Sequence, residues 1–435
     1  MVGSSSPATI ILQISIFLFT FPPTFCNFLP SQTLVFPLQT QNFPHRLSAA
    51  SSSSDKLSFQ HNVSLTVSLA AGSPPSMVLD TGSELSWLHC KKAPNLRSVF
   101  DPARSSSYLP VPCSRPDCAT RTRDLHIPPS CDPKTKLCHV AISYADASSI
   151  EGNLARDTFV IGSKTRPGTL FGCMDSGSSS TSEEDGKTTG LMGMNRGALS
   201  FVNQMGLSRF SYCISGLDST GVLILGDARF SWLGSLKYTP LVLETRPLPY
   251  FDRVAYTVRL EGIRVGSKLL PLPKSAFVPD HTGAGQTMVD SGTQFTFLLG
   301  PVYTALRTEF LKQTEGVLRV VDDPNFVFQG AMDLCYRVES GQPDYKSLPD
   351  VNLIFNGAEM RVSGQKLLYR VNGSGGNNQV YCFTFGNSDL LGMEAFVIGH
   401  HHQQNLWMEY DLANSRVGFA EVKCDLASQR LLSRV

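Results

Sequence analysis

The chain has 435 residues, of which 42% are hydrophobic and 17% are charged, and its formal charge is +1. This length is more than one simple core supports, so we expect two domains or one large bilobal domain. A charge so close to zero excludes a field strong enough to attract nucleic acid or an anionic membrane surface.

The first 26 residues are typical of a secretory signal peptide. The apolar run from Ile10 to Phe21 is too short to cross a bilayer, and the small residues Thr24 and Cys26 can precede a cleavage site. Residues 1–9 lack the usual Lys or Arg, which leaves a disordered apolar tail as the alternative. Residues 27–58 are rich in Ser, Pro, Phe and Gln without periodicity, so we expect a flexible leader or short prosegment.

From His61 onward, short alternating runs bounded by Gly, Ser and Pro favour β-strands. These runs are VSLTVSLA, SMVLD, TVRLEGIRV, VNLIF, KLLYRV, YCFTF and RVGFAEV. Two segments favour helices, namely ALSFVNQM (198–205) and PVYTALRTEFLKQ (301–313), and the second opens with proline at a favourable first position. The sequence therefore predicts an all-β body with a few short helices and no later segment that spans a membrane.

An internal repeat is the most specific feature of the sequence. Residues 77–88 read MVLDTGSELSWL and residues 287–298 read TMVDSGTQFTFL, which aligns Asp80 with Asp290. An apolar-apolar-Gly triplet follows each aspartate at nearly the same distance, at residues 191–193 and 397–399. One Asp-Thr-Gly triplet arises easily by chance, whereas two motifs in the same order indicate a duplicated domain.

The repeated motif carries the residue types that acid hydrolysis requires. The residues after the aspartates are Thr81, Gly82 and Ser83 in the first copy and Ser291, Gly292 and Thr293 in the second. Glycine permits a tight turn, and the last residue of each triplet can donate a hydrogen bond to its carboxylate. Two carboxyl groups roughly 3 Å apart share one proton, so one can activate a water while the other polarises the scissile carbonyl. This chemistry predicts activity at acidic pH without a metal, a cofactor or a covalent intermediate.

The cysteines and two sequons favour export. Cys26 would leave with the signal, and the even set that remains is Cys90, Cys113, Cys118, Cys131, Cys138, Cys173, Cys213, Cys335, Cys382 and Cys424. Such a set favours full pairing in an oxidising compartment, and the spacings contain no CxxC or CxxxC pair that would favour zinc. Asn62 and Asn372 fit the glycosylation pattern. We expect the secretory pathway, with the endoplasmic reticulum, the extracellular space or the cell wall as destination.

Three consecutive histidines, His400 to His402, are the one candidate metal-binding run. On a strand they would point alternately to opposite faces, so at most two could share a metal ion. We therefore expect a surface or cleft-edge role for them and no metal site.

These motifs resemble the pepsin-like aspartic proteases over roughly residues 59–424. The cysteine-rich first half, with FGC at 171–173, FSYC at 210–213 and Cys424, is similar to the plant nepenthesin- or nucellin-type branch. The resemblance implies a bilobal all-β fold with a central cleft. It places the N-terminal lobe at 59–240, the C-terminal lobe at 241–424 and a tail, which we expect to fray, at 425–435.

The resemblance also implies a hairpin flap over the cleft, tipped by Tyr144 and supported by a hydrogen bond from the Trp87 indole. By themselves, Tyr144 is an ordinary strand aromatic and Trp87 a core residue. The branch usually carries Tyr-Gly-Asp-Gly-Ser where this chain has Tyr144-Ala145-Asp146-Ala147-Ser148. Losing two glycines restricts the backbone, so we expect slower opening or narrower specificity.

The disulfides implied by the resemblance use all ten cysteines, although sequence alone does not fix connectivity. They are Cys113–Cys138 enclosing Cys118–Cys131, together with Cys90–Cys173, Cys213–Cys424 and Cys335–Cys382.

Two function classes remain open. The first is a monomeric acid endopeptidase that takes a peptide or protein substrate and no nucleic-acid or membrane partner. The second is a binding or inhibitor protein on the same fold, similar to plant xylanase inhibitors, which have lost productive catalytic residues. Both aspartates and both hydroxyl–glycine pairs are intact here, which favours the enzyme. A structural wall glycoprotein would need no paired motif.

Overall fold

A computed structural model describes residues 33–42, 63–68, 76–92, 96, 99–145, 147–162, 164–178, 188–216, 219–323, 325–339, 341–371 and 379–433. The proposed signal peptide, most of the expected leader and both sequon asparagines, Asn62 and Asn372, lie outside these residues. The helices are α1 (Pro116–Thr120), α2 (Phe201–Met205), α3 (Gly300–Gln313), α4 (Gly364–Leu367), α5 (His400–Gln403) and α6 (Cys424–Leu432).

Strands make up most of the regular structure. In the first half they are β1 (Leu34–Asn42), β2 (Val63–Ser68), β3 (Ser76–Asp80), β4 (Trp87–His89), β5 (Leu109–Pro110), β6 (Ser130–Cys131), β7 (Cys138–Ser143), β8 (Ser149–Ile161), β9 (Lys164–Ser178), β10 (Gly190–Gly193), β11 (Arg209–Cys213), β12 (Gly221–Leu225) and β13 (Lys237–Pro240). In the second half they are β14 (Thr257–Val258), β15 (Leu260–Val265), β16 (Lys268–Leu269), β17 (Gln286–Val289), β18 (Thr296–Leu298), β19 (Arg319–Val320), β20 (Cys335–Val338), β21 (Val351–Phe355), β22 (Ala358–Val362), β23 (Leu368–Arg370), β24 (Gln379–Phe383), β25 (Phe385–Asn387), β26 (Ala395–Ile398), β27 (Leu406–Asp411) and β28 (Arg416–Glu421).

The strands assemble into one large sheet and several smaller ones. A fifteen-stranded sheet contains the strands of the first half together with β27 and β28 from the second. The other strands of the second half form a five-stranded sheet and two four-stranded sheets. The halves join where β11 pairs antiparallel with β27 and Phe210 lies opposite Tyr410. The predicted all-β fold with few short helices is confirmed.

The sequence repeat is also a repeat of topology. In the first half β10 runs parallel to β3, with Gly193 opposite Asp80, and pairs antiparallel with β4. In the second half β26 runs parallel to β17, with Ile398 opposite Val289, and pairs antiparallel with β18. Each apolar-apolar-Gly triplet therefore lies beside the strand that leads into an aspartate.

Apolar periodicity explains why these elements form. In β22 the buried residues Ala358, Met360 and Val362 alternate with exposed ones, as a strand with one face on a core requires. Helix α3 buries Leu306 and Phe310, which lie one turn apart on one face. Its proline lies in the first turn, as predicted, where no backbone N–H is needed.

Both termini of the described chain are more ordered than the sequence indicated. Part of the expected flexible leader forms β1, which lies between β12 and β2 with Leu38 opposite both Gly221 and Val67. The expected frayed tail forms α6, because Ala427 and Leu431 lie on one helical face and pack into a core cluster. In both segments long-range packing decides the structure, which local composition does not reveal.

The described residues contain five disulfides, and two of them differ from the expected pairing. Cys90–Cys173, Cys213–Cys424 and Cys335–Cys382 form as expected. The nested pairs are wrong, because the bonds are Cys113–Cys131 and Cys118–Cys138, which cross in sequence. Burial explains the exchange. The buried cysteine of α1 meets the buried cysteine of β7, while the more exposed residues at 113 and 131 meet each other.

Candidate active site

Asp80 ends β3, and its carboxylate is held by the turn that follows. The Gly82 N–H donates to Asp80 Oδ1 at 2.8 Å, and the Ser83 hydroxyl donates to Asp80 Oδ2. Asp290 follows β17 and is held in the same way, with the Gly292 N–H 2.8 Å from its Oδ1.

The second hydroxyl donor is also in its predicted place. Thr293 Oγ1 donates to Asp290 Oδ2 at 2.6 Å, as Ser83 does to Asp80. Each carboxylate thus receives one backbone and one side-chain donor, as the repeated motif predicts.

Thr81 and Ser291 join the two turns directly. The Thr81 N–H donates to Ser291 Oγ at 3.0 Å, and the Ser291 N–H donates to Thr81 Oγ1 at 2.9 Å. Their hydroxyls continue to the backbone of the opposite strand, to Val289 O at 3.4 Å and Leu79 O at 2.9 Å. Both residues are buried, so these bonds are shielded from water.

The two carboxyl groups face each other across the joined turns. A Cβ added at Gly82 would lie 2.8 Å from Asp290 Oδ1, and one added at Gly292 would meet Asp80 Oδ1 more closely still. Each glycine therefore has no room for a side chain, because the other half's carboxyl occupies that space. Residues 210 positions apart in the sequence come together as the duplication predicts.

Burial and mutual repulsion set the protonation of this pair. Asp80 is 6% exposed. Burial first, and the neighbouring Asp290 charge second, raise its pKa to about 7, although Ser83 and Gly82 donate bonds that act in the opposite direction. The paired site thus retains a proton over the acidic range.

A cleft of about 720 Å³ opens above the carboxyl groups. Asp80 and Asp290 line it from the two halves, and Ile142 and Tyr144 line it from the hairpin of β7 and β8. On the far side the segment Pro247–Ala255 completes the wall.

The hairpin tip contains the expected tryptophan–tyrosine contact. Trp87 Nε1 donates to Tyr144 OH at 2.7 Å. The Tyr144 N–H donates to Ser148 O at 2.9 Å, and the Ala147 N–H returns to Tyr144 O at 3.0 Å. Ala147 has φ of 63°, in the left-handed region that favours glycine. Asp146, at the centre of the tip, lies outside the described residues.

Glu84 is a cleft residue that the sequence did not single out. It is 6% exposed, its Oε1 accepts the Leu199 N–H at 2.8 Å, and its Oε2 has no hydrogen-bond partner among the described residues. Burial raises its pKa to about 7, and the charges of Asp124 and Asp252 act in the same direction. Nothing in the repeat marks this position, since its counterpart in the second motif is Gln294.

A second unpredicted feature joins the halves at one end of the cleft. The disulfide-linked segment 113–138 carries Asp124, whose Oδ1 accepts Arg253 Nε at 2.7 Å. Arg123 also approaches Asp124, with its Nε 3.3 Å from Oδ2. In the sequence, this junction is marked only by the adjacent residues Arg123 and Asp124, an ordinary Arg-Asp pair.

The histidine run differs from its expected position. It forms the helical turn α5 instead of a strand, and His400 and His402 are 1% and 0% exposed. His402 lies between two threonines, 2.7 Å from Thr296 Oγ1 and 2.8 Å from Thr384 Oγ1. Burial lowers the pKa of His401 to about 4. Among the described residues no three His, Cys, Asp or Glu side chains are grouped as metal ligands.

Within the described part of the chain, no helix is both long and apolar enough to cross a bilayer.

Comparison with known proteins gives consistent matches along the chain. A family described as Xylanase inhibitor N-terminal matches residues 66–227, and one described as Xylanase inhibitor C-terminal matches residues 255–421. Aspartic proteinase PCS1 of Arabidopsis thaliana is 63% identical over 413 residues, which cover 92% of this chain and 89% of that protein. Aspartic proteinase nepenthesin-1 of Nepenthes gracilis is 31% identical over 82% of this chain and 77% of its own length.

Solved structures share the fold. The crystal structure of edgp has a TM-score of 0.59 at 20% identity, covering 92% of this chain and 96% of its own. The crystal structure of Basic 7S globulin from soybean has a TM-score of 0.60 at 20% identity, covering 91% and 99%. The segment SYADASS and the run at 399–405 resemble the protease Promotion of Cell Survival, and the 63% identity to PCS1 agrees with this finer similarity. The chain is therefore a pepsin-like aspartic proteinase of the plant branch that includes PCS1 and the nepenthesins.

Proposed function

We propose that Asp80 and Asp290 are the catalytic dyad of an aspartic endopeptidase that hydrolyses peptide or protein substrates. The observation that carries this proposal is the mutual approach of the two carboxyl groups, each against the glycine of the other motif. Both line one cleft, and both receive the backbone and hydroxyl donors that fix a carboxylate in place.

The protonation of the pair supports a division of labour. With one proton on the pair, the ionised carboxylate takes a proton from a water placed between the two groups. The protonated carboxyl donates to the oxygen of the scissile carbonyl, which becomes a gem-diol intermediate. The two titrations belong to the pair. The raised pKa of Asp80 implies that activity falls as the pH rises through about 7 and the shared proton is lost.

We assign the hairpin tip to the role of a flap. Tyr144 lines the cleft, and the Trp87 indole fixes its hydroxyl. A tyrosine held in this way can exclude water from the substrate while the reaction proceeds.

The competing function is that of a binding or inhibitor protein. Both matching families are described as xylanase inhibitors, which is the reason to weigh this function. The plant xylanase inhibitors that this fold resembles have lost productive catalytic residues. Here the aspartates and all four donors are in place, which favours the enzyme.

Cleavage of an internally quenched peptide library at pH 4 tests the dyad. Asp80→Asn and Asp290→Asn keep the shape of each carboxyl group but remove the shared proton and the base. We expect each variant to lose at least about 10³-fold in kcat while its thermal midpoint stays at or above that of the wild type. Wild-type cleavage that either variant retains would exclude this dyad, and a wild-type protein that does not cleave would favour the inhibitor function.

We further propose that the protein acts as a monomer in the secretory pathway, free of nucleic-acid and membrane partners. The five disulfides support an oxidising compartment. Intact-mass measurement before and after reduction, on protein secreted from plant cells, tests whether the cysteines are paired and therefore whether the protein passes through an oxidising compartment.

A further inference from the structure

The peptide group between Asp290 and Ser291 is held on both sides. Its N–H, from Ser291, donates to Thr81 Oγ1 at 2.9 Å. Its carbonyl, Asp290 O, accepts a hydrogen bond from Gln403 Nε2 at 3.1 Å. The orientation of this peptide sets the direction of the Asp290 side chain.

Gln403 is fully buried, at 0% exposure, and its amide has partners on both ends. Nε2 also donates to Ile398 O at 2.8 Å, and Oε1 accepts the hydroxyl of Tyr212. Ile398 O in turn accepts the Asp290 N–H at 3.1 Å, so the amide binds beside both backbone groups of Asp290.

Two buried tyrosines extend the hydrogen bonds of Gln403 into the core between the two halves. The hydroxyls of Tyr212 and Tyr410 are 2.8 Å apart, and the nearby Thr81 side chain acts to lower the pKa of Tyr410 against the larger effect of burial. Burial raises the pKa of both tyrosines, so they remain neutral hydroxyls. Hydrogen bonds therefore link Gln403 to Tyr212 and Tyr212 to Tyr410, while Thr81 Oγ1 accepts the Ser291 N–H on the other side of the same peptide.

In the first half, the carbonyl oxygen of the aspartate accepts its hydrogen bond from the backbone and not from a side chain. There Asp80 O accepts the backbone N–H of Met194 at 2.8 Å. At the matching place in the second half, after Gly399, the His400 N–H donates to Thr293 O at 2.8 Å instead. The carbonyl of the second aspartate thus depends on a side chain where that of the first depends on the backbone.

We propose that Gln403 is the positioning residue of Asp290: its amide fixes the Asp290–Ser291 peptide, whose N–H binds Thr81 in the turn that carries Asp80. The proposal rests on the proposed function of the aspartate pair. Gln403 does not touch the substrate, so it acts on the rate of the chemical step through the direction of the carboxyl group.

Gln403→Met removes both hydrogen-bonding ends and keeps a similar volume. Losing the donor to Asp290 O leaves a buried carbonyl without its bond, so we expect kcat to fall about 10-fold on a quenched peptide at pH 4. KM changes less than about 2-fold, because the cleft walls are untouched. Gln404→Met is the matched control, since that neighbouring glutamine is half-buried and we expect its kcat to stay at the wild-type value.

Gln403→Glu gives a readout that a purely structural residue would not produce. In acid the buried carboxyl is protonated, so its O–H can donate to one of the two carbonyl oxygens while its C=O accepts from Tyr212. Once ionised, it can only accept, and it would then face Asp290 O and Ile398 O. We expect kcat near the wild-type value at pH 4 and a decline that begins at lower pH than in the wild type.

Exchange of the Ser291 amide hydrogen, followed by mass spectrometry on peptides spanning it, tests the proposal without catalysis. We expect faster exchange in Gln403→Met and in Tyr212→Phe than in the wild type and in Gln404→Met. If the wild type does not cleave, the proposed function fails while this comparison still decides the role of Gln403. Unchanged exchange together with wild-type kcat in Gln403→Met would overturn the proposal. If Gln403→Met does not fold, a pH profile of kcat in Gln403→Glu that is not shifted from the wild type would overturn the proposal.

Discussion

At the scale of single residues, Glu84 is a further buried carboxyl group that lines the same cleft as Asp80. Its side chain packs against Gly197, where an added Cβ would collide with the Glu84 carboxyl. Arg121 is the nearby cation, and its charge lowers the Glu84 pKa less than burial raises it. The net result is a pKa of about 7 in place of the ordinary value of 4.5. Ionising this group in the folded protein is therefore unfavourable.

Stability should depend on pH through Glu84. Between its ordinary pKa and about 7 the folded protein binds more protons than the unfolded chain, so stability falls as the pH rises through this window. Glu84→Gln removes the titration and keeps an oxygen for the Leu199 N–H. We expect the variant to match the wild type at pH 4 and to exceed it at pH 8 by on the order of 1–3 kcal/mol in urea unfolding.

The exposed Glu315 supplies the control for that comparison. Glu315→Gln should leave the pH dependence of unfolding unchanged. If Glu84→Gln raised the free energy of unfolding equally at pH 4 and pH 8, ionisation of Glu84 would not be the cause.

The same residues show how far sequence reasoning reaches at this scale. The aspartates and their donors were predictable because each motif is local and occurs twice. Glu84 was not, because its raised pKa comes mainly from burial in the folded chain and further from Asp124 and Asp252, which are distant in sequence. Gln403 was not, because its partners Asp290 and Tyr212 lie on other elements.

At the scale of elements, the hairpin tip contains a strained residue. Ala147 has φ of 63°, a conformation that costs an L-residue about 1–2 kcal/mol and costs glycine almost nothing. The neighbouring Ala145 is exposed and is not among the described residues with positive φ. These two positions are where the branch usually carries glycine.

The two alanines should therefore respond differently to the same substitution. Ala145→Gly only adds freedom to the unfolded chain, so we expect it to destabilise by about 0.5–1 kcal/mol. Ala147→Gly adds the same freedom but relieves the strain, so we expect it to be neutral or stabilising by up to about 1 kcal/mol. Urea unfolding of both variants measures the difference, and equal losses would argue against strain at this tip.

Element identity was predictable where apolar periodicity is strong and failed where packing decides. Helix α3 and strand β21 were predicted, and both follow their sequence periods. The histidine run follows an apolar strand and has no period of its own. It turns into α5 directly after Gly399, where an added Cβ would collide with the Phe295 carbonyl. The crossed disulfides likewise depend on which cysteines are buried, and spacing does not encode this.

At the scale of the whole molecule, the two halves are joined by more than the dyad turns and the β11–β27 pairing. The Arg196 N–H donates to Val254 O at 2.9 Å, and its guanidinium donates to Ala255 O and Arg253 O. The bilobal plan was predictable from the repeat. These junction contacts were not, because they join single residues without a motif.

The ion pair between Asp124 and Arg253 offers a test of this junction. The Asp124 side chain is 5% exposed and that of Arg253 is 34% exposed, so the pair is partly shielded from water. Asp124→Asn leaves the guanidinium without its charged partner, and we expect the free energy of unfolding to fall by about 2 kcal/mol. The exposed pair of Glu339 and Arg319 is the control, because both side chains are more exposed, at 73% and 74%, and Glu339→Gln should have little effect.

Salt separates this electrostatic contribution from simple packing. Raising the ionic strength should change the stability of Asp124→Asn less than that of the wild type, since part of the wild-type stability comes from the charge pair. The segment 113–138 is tied by two disulfides, so its local structure should persist in the variant. We also expect an altered cleavage-site profile with KM raised more than kcat is lowered, because Asp124 and Arg253 line the cleft and bond to each other and not to either aspartate of the dyad. An unchanged unfolding free energy in Asp124→Asn would show that this ion pair does not help to hold the two halves together.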